Sequence, residues 1–420
     1  MPDRRDYAGT VDSTTTSWGG TLGGRSEEAR AAFGACVRGM LAHRVTGGAE
    51  LARALELDPD LVPAQVVRGF SLRKLGRRDV LPEIDALLGR VRPEGPREVA
   101  LVEALRAWRA DDGPRAAAIL DARLEAAPRD LLLAKLAHGL RFMLGDPSGM
   151  RASIERVVDA SSEQDVGHGF LLGCLAFALE ETGDYAAAEA AGRRAVELEP
   201  SDVWGAHAVA HVLFMQCRHR EGALWLRGYA PHLAGCTNLG GHVAWHEAIV
   251  LCELGRTADA LALLDERVVI HVDRDYRDVS NATTLLFRLE RAGVDVGDRW
   301  ARHARFALER EGDHASAFAD LHYALALAAS GRLAHAARFV ASMSDAAGDG
   351  FDARVRREVG VPLARAVVDL FSGRAAEAAR TFDRLRDETL RIGGSHAQRR
   401  IVRWMHDAAR ADAALAEAHP

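Results

Sequence analysis

The stretch GDYAAAEAAGRRAVELEP, residues 183–200, decides the fold. Gly183 ends the apolar segment before it and Pro200 stops the segment that follows. Between them alanines and Gly192 recur at helical spacing, so the segment reads as a helix with a face small enough for neighbours to approach closely. RTADALALLDER (256–267) and GRAAEAARTFDRL (373–385) repeat the idea more weakly. Working outward, short glycine breaks punctuate the chain at LGR (75–77), LGD (144–146), TGD (182–184), LGR (254–256), AGV (292–294), SGR (330–332) and SGR (372–374). Each follows one apolar helical stretch and precedes another, as where a helical hairpin ends its first helix. Pro59, Pro128 and Pro200 each stand 17 residues before a turn position, at Gly76, Gly145 and Cys217. Later turns drift to spacings of 38–42 residues, so the expected array is irregular. No single hairpin buries its apolar face alone, so the hairpins must stack.

Composition agrees. The chain has 420 residues, 48% apolar, 27% charged and 6% aromatic, with 13 prolines. That length fits two or three units or one long array, and the shortage of aromatic residues disfavours an all-β sandwich. The net charge of −6 speaks against a nucleic-acid binder that works through a basic face. Lys74 and Lys135 are the only lysines among 54 basic residues, which reads as a compositional habit of little functional weight. No apolar run approaches the roughly 20 residues a membrane helix needs. The N-terminal MPDRRDYAGTVDSTTTSWGG lacks the apolar core of a secretory signal. Five cysteines without a CxxC pattern fit a reducing cytoplasm. The expected organisation is an extended arm over 1–25, one helical domain over 26–411 and a tail over 412–420.

Histidine carries the chemistry. His207 and His211 in WGAHAVAHVLFM, and His242 and His246 in GHVAWHEAIV, are both i,i+4 pairs, so each pair shares a helix face. The pairs lie 35 residues apart, about one repeat, in the first helices of their hairpins. Counted back from the turn, His207 and His211 stand at 10 and 6, His242 and His246 at 13 and 9, and His322 at 9. Those offsets form one stripe, so five histidines from three helices are expected to face one groove. His138, at offset 7, is a further candidate, and Cys174 occupies the position equivalent to His246. Two i,i+4 pairs on adjacent helices suit a divalent transition metal, with zinc, iron, manganese and copper all open. The competing readings are a metal-free polar groove and plain packing.

Other features are weaker. In GGSHAQR (393–399), two glycines before Ser395 either expose backbone N–H groups to a ligand or leave Ser395 to cap the last helix. No G-x-S-x-G elbow, Walker motif or G-x-G-x-x-G is present.

As a set, DVWGAHAVAHVLFMQ, GHVAWHEAIVLCELGR, LLFRLERAGVDVGDRW, FADLHYALALAASGR and LRIGGSHAQR resemble the tetratricopeptide-repeat protein 38 family, and weaker similarity extends over nearly all of 25–410. The resemblance implies an all-α, right-handed superhelix of tetratricopeptide-like helical hairpins with an inner polar groove, and no particular reaction. Its polar motif positions correspond here to His138, His207, His211, His242, Trp245, His246, Asp320, His322, Ser395, Gln398 and Arg399. The chain departs from the pattern at four places: acids common in relatives are replaced by Gly139, Phe214, Asn281 and Arg400.

Two functional readings follow. In the first, His207, His211, His242 and His246 hold a metal. His246, His322 and Asp320 do acid–base work, and His138, Trp245, Ser395, His396, Gln398 and Arg399 bind a small molecule. In the second, the array is a scaffold that grips a peptide or protein partner in its concave face. A closed pocket would favour the first and an open channel the second.

Overall fold

The computed structural model describes residues 26–269 and 275–418. The expected arm over 1–25 lies outside them. Among the described residues every regular element is helical, and the one β-bridge joins Arg44 to Cys236. The helices run as antiparallel hairpins, from Glu27–Leu41 with Thr46–Leu57 through Ala317–Ala329 with Leu333–Asp345, and the last helix is His396–Ala418. That helix continues through 412–418, which the sequence reading sets apart as a tail. The architecture is the all-α superhelix of tetratricopeptide-like hairpins.

The glycine punctuation works as expected. Gly76, Gly145, Gly183, Gly255, Gly293, Gly331 and Gly373 all have positive φ just past a helix end, and Cys217 takes φ +58° at the equivalent place. The helices after Pro59, Pro128 and Pro200 begin at Val62, Leu131 and Val203. First helices are the more buried. Val203–Met215 and Leu239–Glu253 are apolar nearly all round, because outer helices cover one side and the opposite wall covers the other.

The superhelix closes on itself. Val45 N donates to Gly235 O (3.0 Å), Thr237 N donates to His43 O (2.8 Å), and the Arg44 guanidinium reaches the carbonyls of His232 and Ala234. Further along, Phe351 N donates to Asp111 O (2.7 Å), and the Asp111 carboxylate accepts from Asp352 N (2.8 Å) and Ala353 N (3.1 Å). Arg73 pairs with Asp352 at 2.7 Å. One turn therefore rests on the next, and the concave face narrows to a pocket.

Candidate functional site

Local packing fixes the histidine helices before any ligand is considered. Asp202 caps Val203–Met215, its carboxylate accepting from Trp204 N (3.2 Å) and Gly205 N (3.1 Å). A Cβ on Gly173 would stand 3.0 Å from Gly205 N and closer still to the Asp202 carboxylate, so only glycine lets His168–Glu181 lie this near. The approach stacks Phe177 on His207, ring centroids 5.6 Å apart, and sets Glu180 beside His211.

His207, His211, His242 and His246 meet at one point. The Nε2 of His207 lies 3.0 Å from that of His211, 3.1 Å from that of His242 and 3.1 Å from that of His246. His246 Nε2 lies 3.2 Å from His242 Nε2. One ring nitrogen from each of the four falls within 4.8 Å of the others. A tetrahedral ion with metal–nitrogen bonds of about 2.05 Å sets its ligands about 3.3 Å apart, so the cluster is metal-sized. Burial, the largest cause, pushes all four imidazoles down, His211 and His242 to about 4, and neighbouring histidines lower His207 and His246 further. The rings therefore stay neutral, which is the metal-binding form.

The outer nitrogens divide the set. His242 Nδ1 donates to Asn281 Oδ1 at 2.9 Å, which aims its Nε2 lone pair inward, whereas His211 Nδ1 lies 3.3 Å from Glu180 Oε2 without forming a hydrogen bond. His207 Nδ1 and His246 Nδ1 have no protein partner. No protein group outside the cluster fixes the tautomer of those two rings, and each would hold a metal through Nε2 with its proton on Nδ1.

His207 and His242 also wall a cavity of about 180 Å³. Its lining is mainly aromatic and aliphatic, with Phe142, Trp204, Leu239, Tyr276 and Phe318. Lys74 and Lys135 both line it, which corrects the compositional reading of the two lysines. Lys135 sits over the Trp204 ring at 5.1 Å, and burial lowers Lys74 to about 8, helped by Arg277 and Lys135. No Asp or Glu lines the cavity.

The other expected site residues scatter around this centre. His138 joins the cavity wall and stays apart from the histidine cluster: it accepts from Trp204 Nε1 at 3.1 Å, and its Nδ1 has no partner. Trp245 is fully buried and stacks on His242 behind the cluster. Ser395 and Gln398 reach the cavity but form a reciprocal cap, Gln398 N donating to Ser395 Oγ (3.3 Å) and Ser395 N to Gln398 Oε1 (3.0 Å). Arg399 is spent on Glu181 (3.1 Å), and His396 N donates to the same carboxylate (2.7 Å), so these two anchor the last helix. His322 is not brought to the cluster, because the helix Tyr276–Arg291 intervenes and supplies Thr283 Oγ1, 2.9 Å from His322 Nδ1. Asp320 does not serve His322 either. It lies 3.2 Å from His314 Nδ1, whose Nε2 meets Ser342 Oγ at 2.8 Å. That Asp–His–Ser arrangement lacks an oxyanion site, since Ser342 lies inside a helix whose N–H groups are already bonded.

The positions where the resemblance leads to an acid being expected have the following surroundings. Asn281 holds His242, Phe214 lies under the Arg400 guanidinium at 4.9 Å, and a Cβ on Gly139 would stand 3.4 Å from Lys74 Nζ. Sequence reasoning missed Glu180, Trp204, His43 and both lysines. The rarity of lysine was the one available signal.

No family model matches the chain. Among solved structures, the chain is similar to a tetratricopeptide repeat protein from Parabacteroides merdae (10% identity, 69% of this chain and 99% of that one, TM-score 0.37). It is also similar to the Rap protein complexed with competence and sporulation factor (12%, 84% and 99%, TM-score 0.39). A third is the tetratricopeptide domain of P58(IPK) (13%, 93% and 98%, TM-score 0.23).

Proposed function

We propose that the protein binds a divalent transition metal through His207, His211, His242 and His246, and a small molecule in the cavity that His207 and His242 wall. The observation that carries the reading is the convergence of four neutral ring nitrogens at 3.0–3.2 Å, with the His242 ring oriented by Asn281. A bound metal would supply Lewis acidity beside the cavity. The chain's own residues hold the rings neutral and pack Phe177, Trp204 and Trp245 around them. The resemblance to the tetratricopeptide-repeat protein 38 family accords with a shared site at these positions. Five free thiols accord with a reducing, cytoplasmic setting, and no described helix is long and apolar enough to cross a membrane.

The competing reading is a scaffold that docks a peptide or protein. The helical-repeat fold supports it, while the chain's own contacts at Arg44 and Asp111 narrow the concave face. Elemental analysis of protein purified without tag or chelator tests the metal. One equivalent in the wild type, lost in a His207→Ala/His246→Ala variant of unchanged helicity, supports the reading. Absence of metal after reconstitution with zinc, iron, manganese and copper overturns it.

A further inference from the structure

The chain uses arginine almost everywhere a cation is wanted, yet its only two lysines, Lys74 and Lys135, come from separate hairpins to one cavity. Neither ammonium lies within ion-pair distance of a carboxylate among the described residues, although Lys135 Nζ meets Cys174 Sγ at 3.9 Å and feels the buried Asp202, whereas Arg277, the third cation of the lining, is held by Asp275 in a two-point ion pair. A cation that is half-buried in an apolar chamber without a counterion is costly unless a ligand supplies the charge. His138 also stands at this wall, its Nε2 accepting from Trp204 Nε1 and its Nδ1 buried.

We infer that the cavity takes a small carboxylic acid in its ionised form, with the carboxylate on Lys74 and Lys135 and an apolar body among Phe142, Trp204 and Phe318. The inference rests on the small-molecule reading of this cavity and names its ligand class. Size sets the body. A chamber of about 180 Å³ is of the order of the roughly 150 Å³ apolar cavity that holds one benzene ring. Carboxylate is favoured over phosphate because the nearby helix N-terminus spends its N–H groups on the Ser395–Gln398 cap and no free guanidinium fork is offered. The two unpaired ammonium groups and the apolar side chains Phe142, Trp204 and Phe318 suit one anionic head on an oily body.

Calorimetric titration with benzoate and hexanoate, each beside its primary amide, tests this on full-length protein. The wild type should bind at least one acid tenfold or more tightly than its amide. Lys74→Met/Lys135→Met should abolish that preference. Because two replacements risk the fold, Gly139→Asp serves as a second variant. Its carboxylate would reach Lys74 from a position whose Cβ makes ordinary contacts, and it should weaken acid binding at least fivefold with helicity unchanged. Equal binding of acid and amide, or a preference that survives loss of both lysines, overturns the inference and leaves the cavity reading standing. Binding of no acid or amide overturns both. Metal content measured on the same samples reports separately on the histidine cluster.

Discussion

The bond between His242 and Asn281 gives the sharpest handle on the metal reading. His242 Nδ1 donates to Asn281 Oδ1 at 2.9 Å, and this fixes the tautomer whose Nε2 lone pair faces the cluster. Replacing Asn281 with Leu removes the acceptor. In the metal-free protein little is lost, because the proton moves to Nε2, where His207 and His246 stand 3.1 and 3.2 Å away as acceptors. In the metal-bound protein that proton must return to Nδ1, where it is buried and unpaired, at a cost of about 1–3 kcal/mol. Metal affinity should therefore fall by about 10–100-fold, as for other outer partners of histidine ligands. Competition between protein and a chromogenic chelator for zinc, at neutral pH, reads the affinity. Urea unfolding of the stripped proteins reads the apo stability, which should change by less than about 1 kcal/mol. An Asn281→Asp variant should bind at least as tightly as wild type, since a carboxylate is the stronger acceptor. Zinc affinity in Asn281→Leu within twofold of wild type would refute the claim that this bond orients a ligand.

Three further outcomes follow from the geometry. Burial holds His322 at about 3, against about 6.5 in an unfolded chain, so between those values the unfolded state binds a proton the native state refuses. Stability from this group is full above pH 6.5 and is lost as pH falls toward 3, by up to about 5 kcal/mol; urea unfolding at pH 7 and 4.5 should show His322→Gln losing about 2–3 kcal/mol less than wild type, and equal losses would remove the mechanism. Asp111 has φ +63° and caps the segment at Asp352 and Ala353, so Asp111→Ala should cost about 1–3 kcal/mol and Asp111→Gly less, because glycine accepts that backbone; the reverse order in urea melts would count against the cap. Ser395→Ala should cost about 1 kcal/mol through its helix cap while metal content and acid binding persist, and loss of either with helicity intact would make Ser395 a ligand residue.

The sequence by itself determined the helices, their hairpins and the first four histidines. Those depend on neighbours close along the chain: glycine at a helix end, proline before a start, i,i+4 spacing, and two pairs 35 residues apart on adjacent inner helices. The stripe argument overreached at His322, because offset from the turn does not include the rotation each hairpin adds, and one more hairpin carried that ring to Thr283. The acid–base pairing of Asp320 with His322 is a separate expectation, and residues two apart on a helix point to different faces. What only the tertiary structure decided is the site's chamber. Arg44 meets Cys236, Asp111 meets Asp352, and Lys74 and Lys135 reach one cavity because small rotations summed over several hairpins bring one turn of the superhelix onto the next. That sum is a property of every interface together, so no local pattern of residues encodes it.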